Sequence, residues 1–376
     1  MKLAIVRQKY TPFGGAERFV ERALSALADK GLDVTIITRQ WKGDRQDGRK
    51  LRLCNPFYLG RLWRDASFSR EVQKIVAEGE FDLVQSHERI PGCHIYRAGD
   101  GVHATWLELR ARTQSALAAF FTRWHPWHRY VLRAEARMFR DPALKAVICN
   151  SRMVKDDIVR RFGVAEDKLH VIHNGVDLEY FHPGLREQYR QVVREQLGIP
   201  QTASMVLFVG SGFERKGVFP LLKAVAGLPD VHLVVVGKDR KLSAAQKLVR
   251  QLGIAERTYF LGAQQDVRPY YGAADVFALP TLYDPFPNAV LEALACGLPV
   301  LTSPTSGAAE LVGEHSGKVV DALDVIGQQN ALKWLLSESP QAVKGARQVA
   351  QQCGAADMAG RLLALYSRLM GSAAPV

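Results

Sequence analysis

The stretch over residues 269–307, PYYGAADVFALPTLYDPFPNAVLEALACGLPVLTSPTSG, constrains the fold more than any other part of the 376-residue chain. It reads as a helical turn, a short apolar strand over 275–280, a loop carrying Tyr283 and Asp284, and a helix over 288–296. Val290, Leu291, Leu294 and Ala295 recur at core spacing in that helix, and Gly297 can take the left-handed conformation that ends it. A second buried strand over 298–302 completes a strand–loop–helix–strand unit, which is a parallel crossover. Ligands of such sheets bind beyond the carboxyl ends of the strands, where this loop and helix start fall. Asp284 precedes the helix and Glu292 lies about a turn inside it. Two carboxylates there suit a polyhydroxylated ligand, because each can accept two hydroxyl hydrogen bonds. On spacing alone, one helix-dipole acid and one solvated glutamate is an equal reading.

The same alternation runs along the rest of the chain. An apolar strand over 2–7 leads into a loop with Gly14 and Gly15, then a helix over 16–30. A glycine turn at a helix start presents free N–H groups and the positive dipole end, which favour an anion. Strands follow at 33–38, 81–86 and 94–98; the last two end in polar runs containing His87, Asp100 and His103. A strand at 204–209 leads into GSGFERKG, residues 210–217, which misses the spacing of both a dinucleotide fingerprint and a P-loop. What remains is a glycine-rich turn presenting Arg215 and Lys216, either to a ligand or to solvent. Further strands are expected at 231–237 and 258–261, the latter ending near Gln264, and a final amphipathic helix at 355–370.

Between residues 103 and 140 the composition changes. The segment holds seven arginines against two acids, a surplus of 5, with Trp106, Trp124 and Trp127 among its aromatics. Apolar and basic residues interleave at helical spacing, broken at His125-Pro126. That pattern suits a segment lying on an anionic membrane through Arg123, Arg129, Arg133 and the tryptophans. An interdomain or dimer contact is the alternative, since arginine and aromatics also favour interfaces.

Several of these motifs together resemble the family 4 retaining glycosyltransferases. The carrying features are the two acids with seven residues between them, the alanine-rich helix ending in Gly-x-Pro-Val, the amino-terminal PFGGAERFV, VIHNGVD before the linker, and FERKG. The resemblance implies two doubly wound, Rossmann-like domains facing a cleft, the GT-B fold. It implies that Gly14 and Gly15 approach the donor diphosphate, and that Arg215 and Lys216 clamp it. Asp284, where the family usually has glutamate, would bind the donor sugar; Glu292 would bind the ribose, with Asn288 beside it. Gln264 would lie at the nucleobase, and Asp100, with His103 second, beside the sugar. The start YTPFGGAERF and the basic aromatic segment look most like the glucosyltransferases of the lipopolysaccharide core. The implied reaction moves a hexose, glucose favoured, from a UDP-sugar to an inner-core heptose. N-acetylglucosaminyl or other hexosyl transfer to another glycan is the alternative, and a UDP-sugar epimerase of the same fold a more distant one.

Composition bounds the rest. The length predicts two or three domains, placed at 1–183 with the returning helix 355–376, and at 184–354. The net charge of +12 and pI near 9.5 point to an anionic partner. Residues 1–185 hold 31 Lys/Arg against 22 Asp/Glu, whereas the remainder holds 19 against 16. A nucleic-acid binder would account for that charge but not for paired acids at a cleft, so no nucleic acid is expected. No Asp-x-Asp occurs, so no metal and no cofactor beyond the UDP-sugar substrate is expected. Cys54, Cys93, Cys149, Cys296 and Cys353 are scattered, which fits a reducing cytoplasm. No apolar run reaches about 18 residues and the start lacks a signal-peptide pattern, so a cytoplasmic, peripheral enzyme on the inner membrane face is expected.

Overall fold

A computed structural model describes residues 2–10, 33–41, 50–337 and 339–371. Gly14, Gly15 and the helix expected over 16–30 lie outside the described residues. The chain divides into two units, Met1–Asn174 with Ala355–Val376, and Gly175–Gly354.

The first unit is built on a parallel sheet whose described strands are β1 (Lys2–Val6), β2 (Asp33–Thr38), β3 (Lys50–Leu53), β4 (Leu83–Ser86), β5 (Ile95–Arg97), β6 (Ala146–Cys149) and β7 (Leu169–Val171). Their order is β3-β2-β1-β4-β5-β6-β7. The strands are short apolar runs because a parallel sheet is covered on both faces. Helix Gly60–Ala77 buries Phe68, Val72 and Ile75 on one stripe. Helix Ala355–Leu369 returns to this unit. Its Met358, Leu362, Leu365 and Tyr366 join Leu3, Ile5, Ile36 and Leu83 in one core cluster. The Tyr366 hydroxyl donates to Gln85 Oε1 on β4 at 2.6 Å.

The second unit repeats the plan with β8 (Ser204–Val209), β9 (Val231–Val236), β10 (Thr258–Gly262), β11 (Val276–Leu279), β12 (Val300–Thr302) and β13 (Gly317–Val319), in the order β10-β9-β8-β11-β12-β13. Each sheet therefore winds outward from its first strand, then reverses, which is the doubly wound arrangement. The boundary expected after residue 183 moves to Asn174. Residues 175–183 belong with the second unit because Val176 bridges to Gly354, Phe181 joins the second core, and Arg347 donates to the carbonyls of Leu178 and Phe181 at 3.0 and 2.8 Å.

Helix Leu185–Leu197 is pinned under the second sheet by charge rather than by apolar surface alone. Asp275, at the foot of β11, meets Arg190 and Arg194 at 2.7 Å and Arg186 at 3.1 Å. Arg194 is fully buried and also donates to the carbonyls of Ala273, Pro200, Gln201 and Ala203. A buried guanidinium is tolerated only when its donors are matched in this way.

Candidate active site

In the second unit β8 has β9 on one side and β11 on the other, so the chain changes direction between β8 and β11. The loops after those two strands leave the same edge of the sheet and meet at the switch point, where such sheets bind ligands. Their approach depends on Gly217. Its φ is +79°, and a Cβ there would lie 1.9 Å from the Pro280 carbonyl oxygen. With no side chain in the way, the Arg215 carbonyl accepts from Leu282 N–H at 2.7 Å and Thr281 Oγ1 at 2.8 Å. The other end of the glycine turn is held by Asp239, which accepts from Gly212 and Phe213 N–H at 2.8 and 3.0 Å.

Arg215, Lys216 and Asp284 are thereby brought together. The Lys216 ammonium donates to Asp284 Oδ2, and Arg215 reaches the same oxygen at 3.4 Å and the Tyr283 carbonyl at 3.0 Å. Asp284 is buried, and burial alone would push its carboxyl up. The Lys216 and Arg215 charges outweigh that and hold it below the usual aspartate value. Burial pulls the Lys216 ammonium below its usual value, with Asp284 opposing and Arg215 adding to the fall. The result is a preorganised cluster with one more cation than anion, Asp284 buried, Lys216 largely so and Arg215 36% exposed. A third loop, after β12, joins in: an Asp284–Ser306 bridge ties it to the loop after β11, and Ser306 Oγ is buried with no hydrogen-bond partner among the described residues. Such a group is normally satisfied.

The other expected donor residues are placed separately. Helix Asn288–Ala295 follows Pro287 and opens with Asn288, half-buried. Glu292 is buried on that helix, where its Oε2 accepts from the Tyr271 hydroxyl at 3.0 Å. Gln264 lies exposed in the loop after β10, its amide donating back to the Leu261 carbonyl at the end of that strand, 2.7 Å away. Neither Tyr271, Asp239 nor Ser306 was apparent as a site residue from sequence.

In the first unit, the loop after β5 carries Asp100, whose side chain is 77% exposed and meets Arg89 at 4.0 Å. Arg89 in turn binds the buried Glu135 at 2.8 Å and the Gly101 carbonyl at 2.9 Å. Glu135 also accepts from the His103 N–H at 3.1 Å, at the start of helix His103–Ala111. The His103 ring is buried, its Nε2 2.9 Å from His128 Nδ1. Burial, with Arg89, His128 and Arg61 adding to it, drives His103 down to about 3. Asp100 thus offers an exposed carboxylate held only loosely by Arg89, while His103 is a neutral ring facing the interior.

The basic aromatic segment forms three helices, His103–Ala111, Ala116–Trp124 and Pro126–Phe139. Helix Ala116–Trp124 buries no residue; Leu117, Phe120, Phe121 and Trp124 are 67%, 55%, 64% and 53% exposed. Arg123, Arg129 and Arg133 are also exposed, and Trp106 is half-buried. Trp127 departs from the membrane-facing role expected of it. Its indole N–H donates to Asp65 at 2.7 Å, the Arg61 guanidinium lies 3.3 Å over its ring, and His103 packs edge-on against it.

Two doubly wound parallel-sheet units, one with a cationic cluster at its switch point, define the GT-B class of Rossmann-like enzymes. The glycosyltransferase family 4 model matches residues 13–180 and the glycosyl transferases group 1 model matches residues 190–352. The chain is 34% identical over 341 residues to the lipopolysaccharide core biosynthesis glycosyltransferase LpsE of Rhizobium meliloti, covering 87% of this chain and 86% of that one. It is 28% identical to the lipopolysaccharide glucosyltransferase WaaG of Escherichia coli K12, covering 90% and 91%. It is 31% identical to the D-inositol 3-phosphate glycosyltransferase of Mycolicibacterium smegmatis, covering 95% and 87%. A crystal structure of WaaG superposes with a TM-score of 0.82 at 25% identity, covering 96% of this chain and 99% of that one. The chain belongs to family 4 of the glycosyltransferases and is related to its lipopolysaccharide core members.

Proposed function

We propose that the protein transfers a hexose, glucose favoured, from a UDP-sugar to an inner-core heptose of lipopolysaccharide, with retention and without a metal. The carrying observation is the Arg215–Lys216–Asp284 cluster at the second switch point. In the reaction the bond between the anomeric carbon and the diphosphate breaks, and UDP leaves with its electron pair. The acceptor oxygen bonds to the same face, and its proton passes to the departing phosphate. Stabilising the leaving diphosphate is the main demand, and two cations already held beside Asp284 suit it with little reorganisation. Asp284 would bind the hexose, Glu292 and Asn288 the ribose side, Gln264 the base, and Asp100 the sugar or its developing positive charge. Glucose is favoured because WaaG is a glucosyltransferase, and HepE from Anabaena, crystallised with UDP and glucose, shares the fold at a TM-score of 0.74. Transfer to another acceptor is the second reading, supported by the D-inositol 3-phosphate glycosyltransferases among the relatives.

The acceptor side would work at the inner face of the cytoplasmic membrane. Supporting this, the apolar face of helix Ala116–Trp124 is uncovered within its unit and is flanked by exposed arginines. No helix among the described residues is long and apolar enough to cross a membrane. Incubation with a panel of UDP-hexoses, with and without a heptose-bearing acceptor, tests the reaction. UDP release that rises with acceptor and with one hexose supports it; no release with any UDP-hexose would overturn it.

A further inference from the structure

Helices Gly60–Ala77 and Pro126–Phe139 of the first unit enclose a groove of about 970 Å³ on the protein surface. Its lining includes Arg70 from the first helix, Arg129, Arg133 and Arg137 from the second, Arg140 just beyond it, and Tyr130. The spacing of the last four arginines places them along one helical face. The opposite face carries the buried Val131, Glu135 and Met138. A row of like charges at helical spacing repels itself, so ordinary helix design would interleave carboxylates.

Here the nearby carboxylates are committed elsewhere. Asp65 holds Gln8, Arg64 and Trp127; Glu71 holds Lys74; Glu135 holds Arg89 and the His103 N–H. Asp141, which also lines the groove, accepts from the backbone N–H groups of Gly92 and Ala143, both at 2.9 Å. Among the described residues none of the five arginines has a carboxylate within ion-pairing distance. From Arg129 to Arg140 the helical rise spans about 16 Å. That is too long for one phosphate and fits a ligand carrying several separated anions. Guanidinium groups bind phosphate and carboxylate through paired N–H donors, and Tyr130 adds a face on which a sugar ring can lie.

We propose that this groove seats an anionic saccharide, a short run of sugars bearing phosphate or carboxylate groups. Its identity as the acceptor's seat rests on the transfer reading above; the binding itself does not. A single phospholipid headgroup would engage only part of the arginine row, and the exposed apolar side chains suited to acyl chains are Leu117, Phe120 and Phe121 on the preceding helix.

The test compares the full-length protein with a variant carrying Arg70→Ala, Arg137→Ala and Arg140→Ala together. Titration calorimetry with glucose 1,6-bisphosphate, with glucose as control, reads the groove. Binding of UDP and the melting temperature check that the variant is folded. Measurable bisphosphate binding with none to glucose, weakened at least tenfold in the variant while UDP affinity holds, is the expected result. Failure of the wild type to prefer the bisphosphate, or equal affinity in the variant, overturns the proposal. A second arm sediments both proteins with phosphatidylglycerol vesicles. If the variant loses vesicle binding while the bisphosphate never binds, the groove takes lipid headgroups and the saccharide proposal falls. Bisphosphate binding without UDP release from any UDP-hexose would instead overturn the transfer reading and leave the groove as proposed.

Discussion

At the scale of single residues, the structure makes Lys216 a double-purpose group. It neutralises the buried Asp284, and the proposed clamp gives it a second task at the diphosphate. Lys216→Ala is therefore expected to cut turnover by about 10²–10³-fold and also to lower stability. Breaking a buried pair from one side costs about 3–5 kcal/mol, eased here by Arg215 on the same carboxylate oxygen. Adding Asp284→Asn should restore the melting temperature and leave turnover low; recovery of both would mean that Lys216 acts only as a counter-ion. Arg215→Ala, with Lys216 still in place, should lose activity with little change in melting temperature. The two acids should separate cleanly by titration calorimetry. Glu292→Gln weakens UDP and UDP-glucose alike, by roughly 1.5–3 kcal/mol for a charge-assisted bond. Asp284→Asn weakens only UDP-glucose, because its proposed partner is the hexose, which UDP lacks. Equal loss of UDP affinity in both variants would refute that division.

At the scale of elements, the helix Leu185–Leu197 and the helices around His103 give opposite kinds of electrostatic prediction. Asp275→Ala leaves the fully buried Arg194 without its carboxylate and should cost about 3–5 kcal/mol in chemical denaturation. Arg186→Ala, at the exposed end of the same row, should cost under about 1 kcal/mol. Similar effects from both would mean that the row is not graded by burial. The histidine pair predicts pH dependence. Burial drives His103 to about 3 and His128 to about 4, from an ordinary value of 6.5. Above that ordinary value both rings are neutral in either state and contribute nothing. Below it the unfolded rings take protons that the folded ones refuse, so stability falls as pH drops from about 6.5 towards 4. His103→Asn with His128→Asn should flatten that fall in a series of thermal melts; an unchanged slope would place the effect elsewhere. The elements also show what a sequence can convey. The strands, the crossover at Asp275–Thr302 and the cation pair after β8 are local patterns of burial and turn chemistry. Arg194 gave no signal, because its partner Asp275 lies far along the chain and LREQYRQVVREQL reads as a solvated helix. Arg89 with Glu135, and Lys216 with Asp284, are likewise pairs that only folding joins. Trp127 misled for a different reason: the break at His125-Pro126 resets the helical phase, so the periodicity of one helix says nothing about which way the next one faces.

At the scale of the molecule, net charge concentrates in the first half of the sequence, and the first unit carries the uncovered apolar helix. Sedimentation with vesicles should show binding to anionic lipid that weakens with salt, each cation contributing about 1 kcal/mol at most near the surface. Leu117, Phe120, Phe121 and Trp124 should leave a salt-resistant remainder that Phe120→Ser with Phe121→Ser removes. Equal, negligible binding to anionic and zwitterionic vesicles would end the membrane reading. The division of the chain also sets the order in which its parts can be made. Residues 175–354 are contiguous, so the second unit can fold as it leaves the ribosome. The first unit cannot finish then, because Met358, Leu362, Leu365 and Tyr366 arrive only after the whole second unit has been translated. At ~5–20 residues per second that is a wait of roughly 10–35 s, during which the apolar face awaiting the last helix stays open. The unit translated first is thus the one completed last, and nascent chains stalled before residue 355 should recruit chaperones through their earlier half.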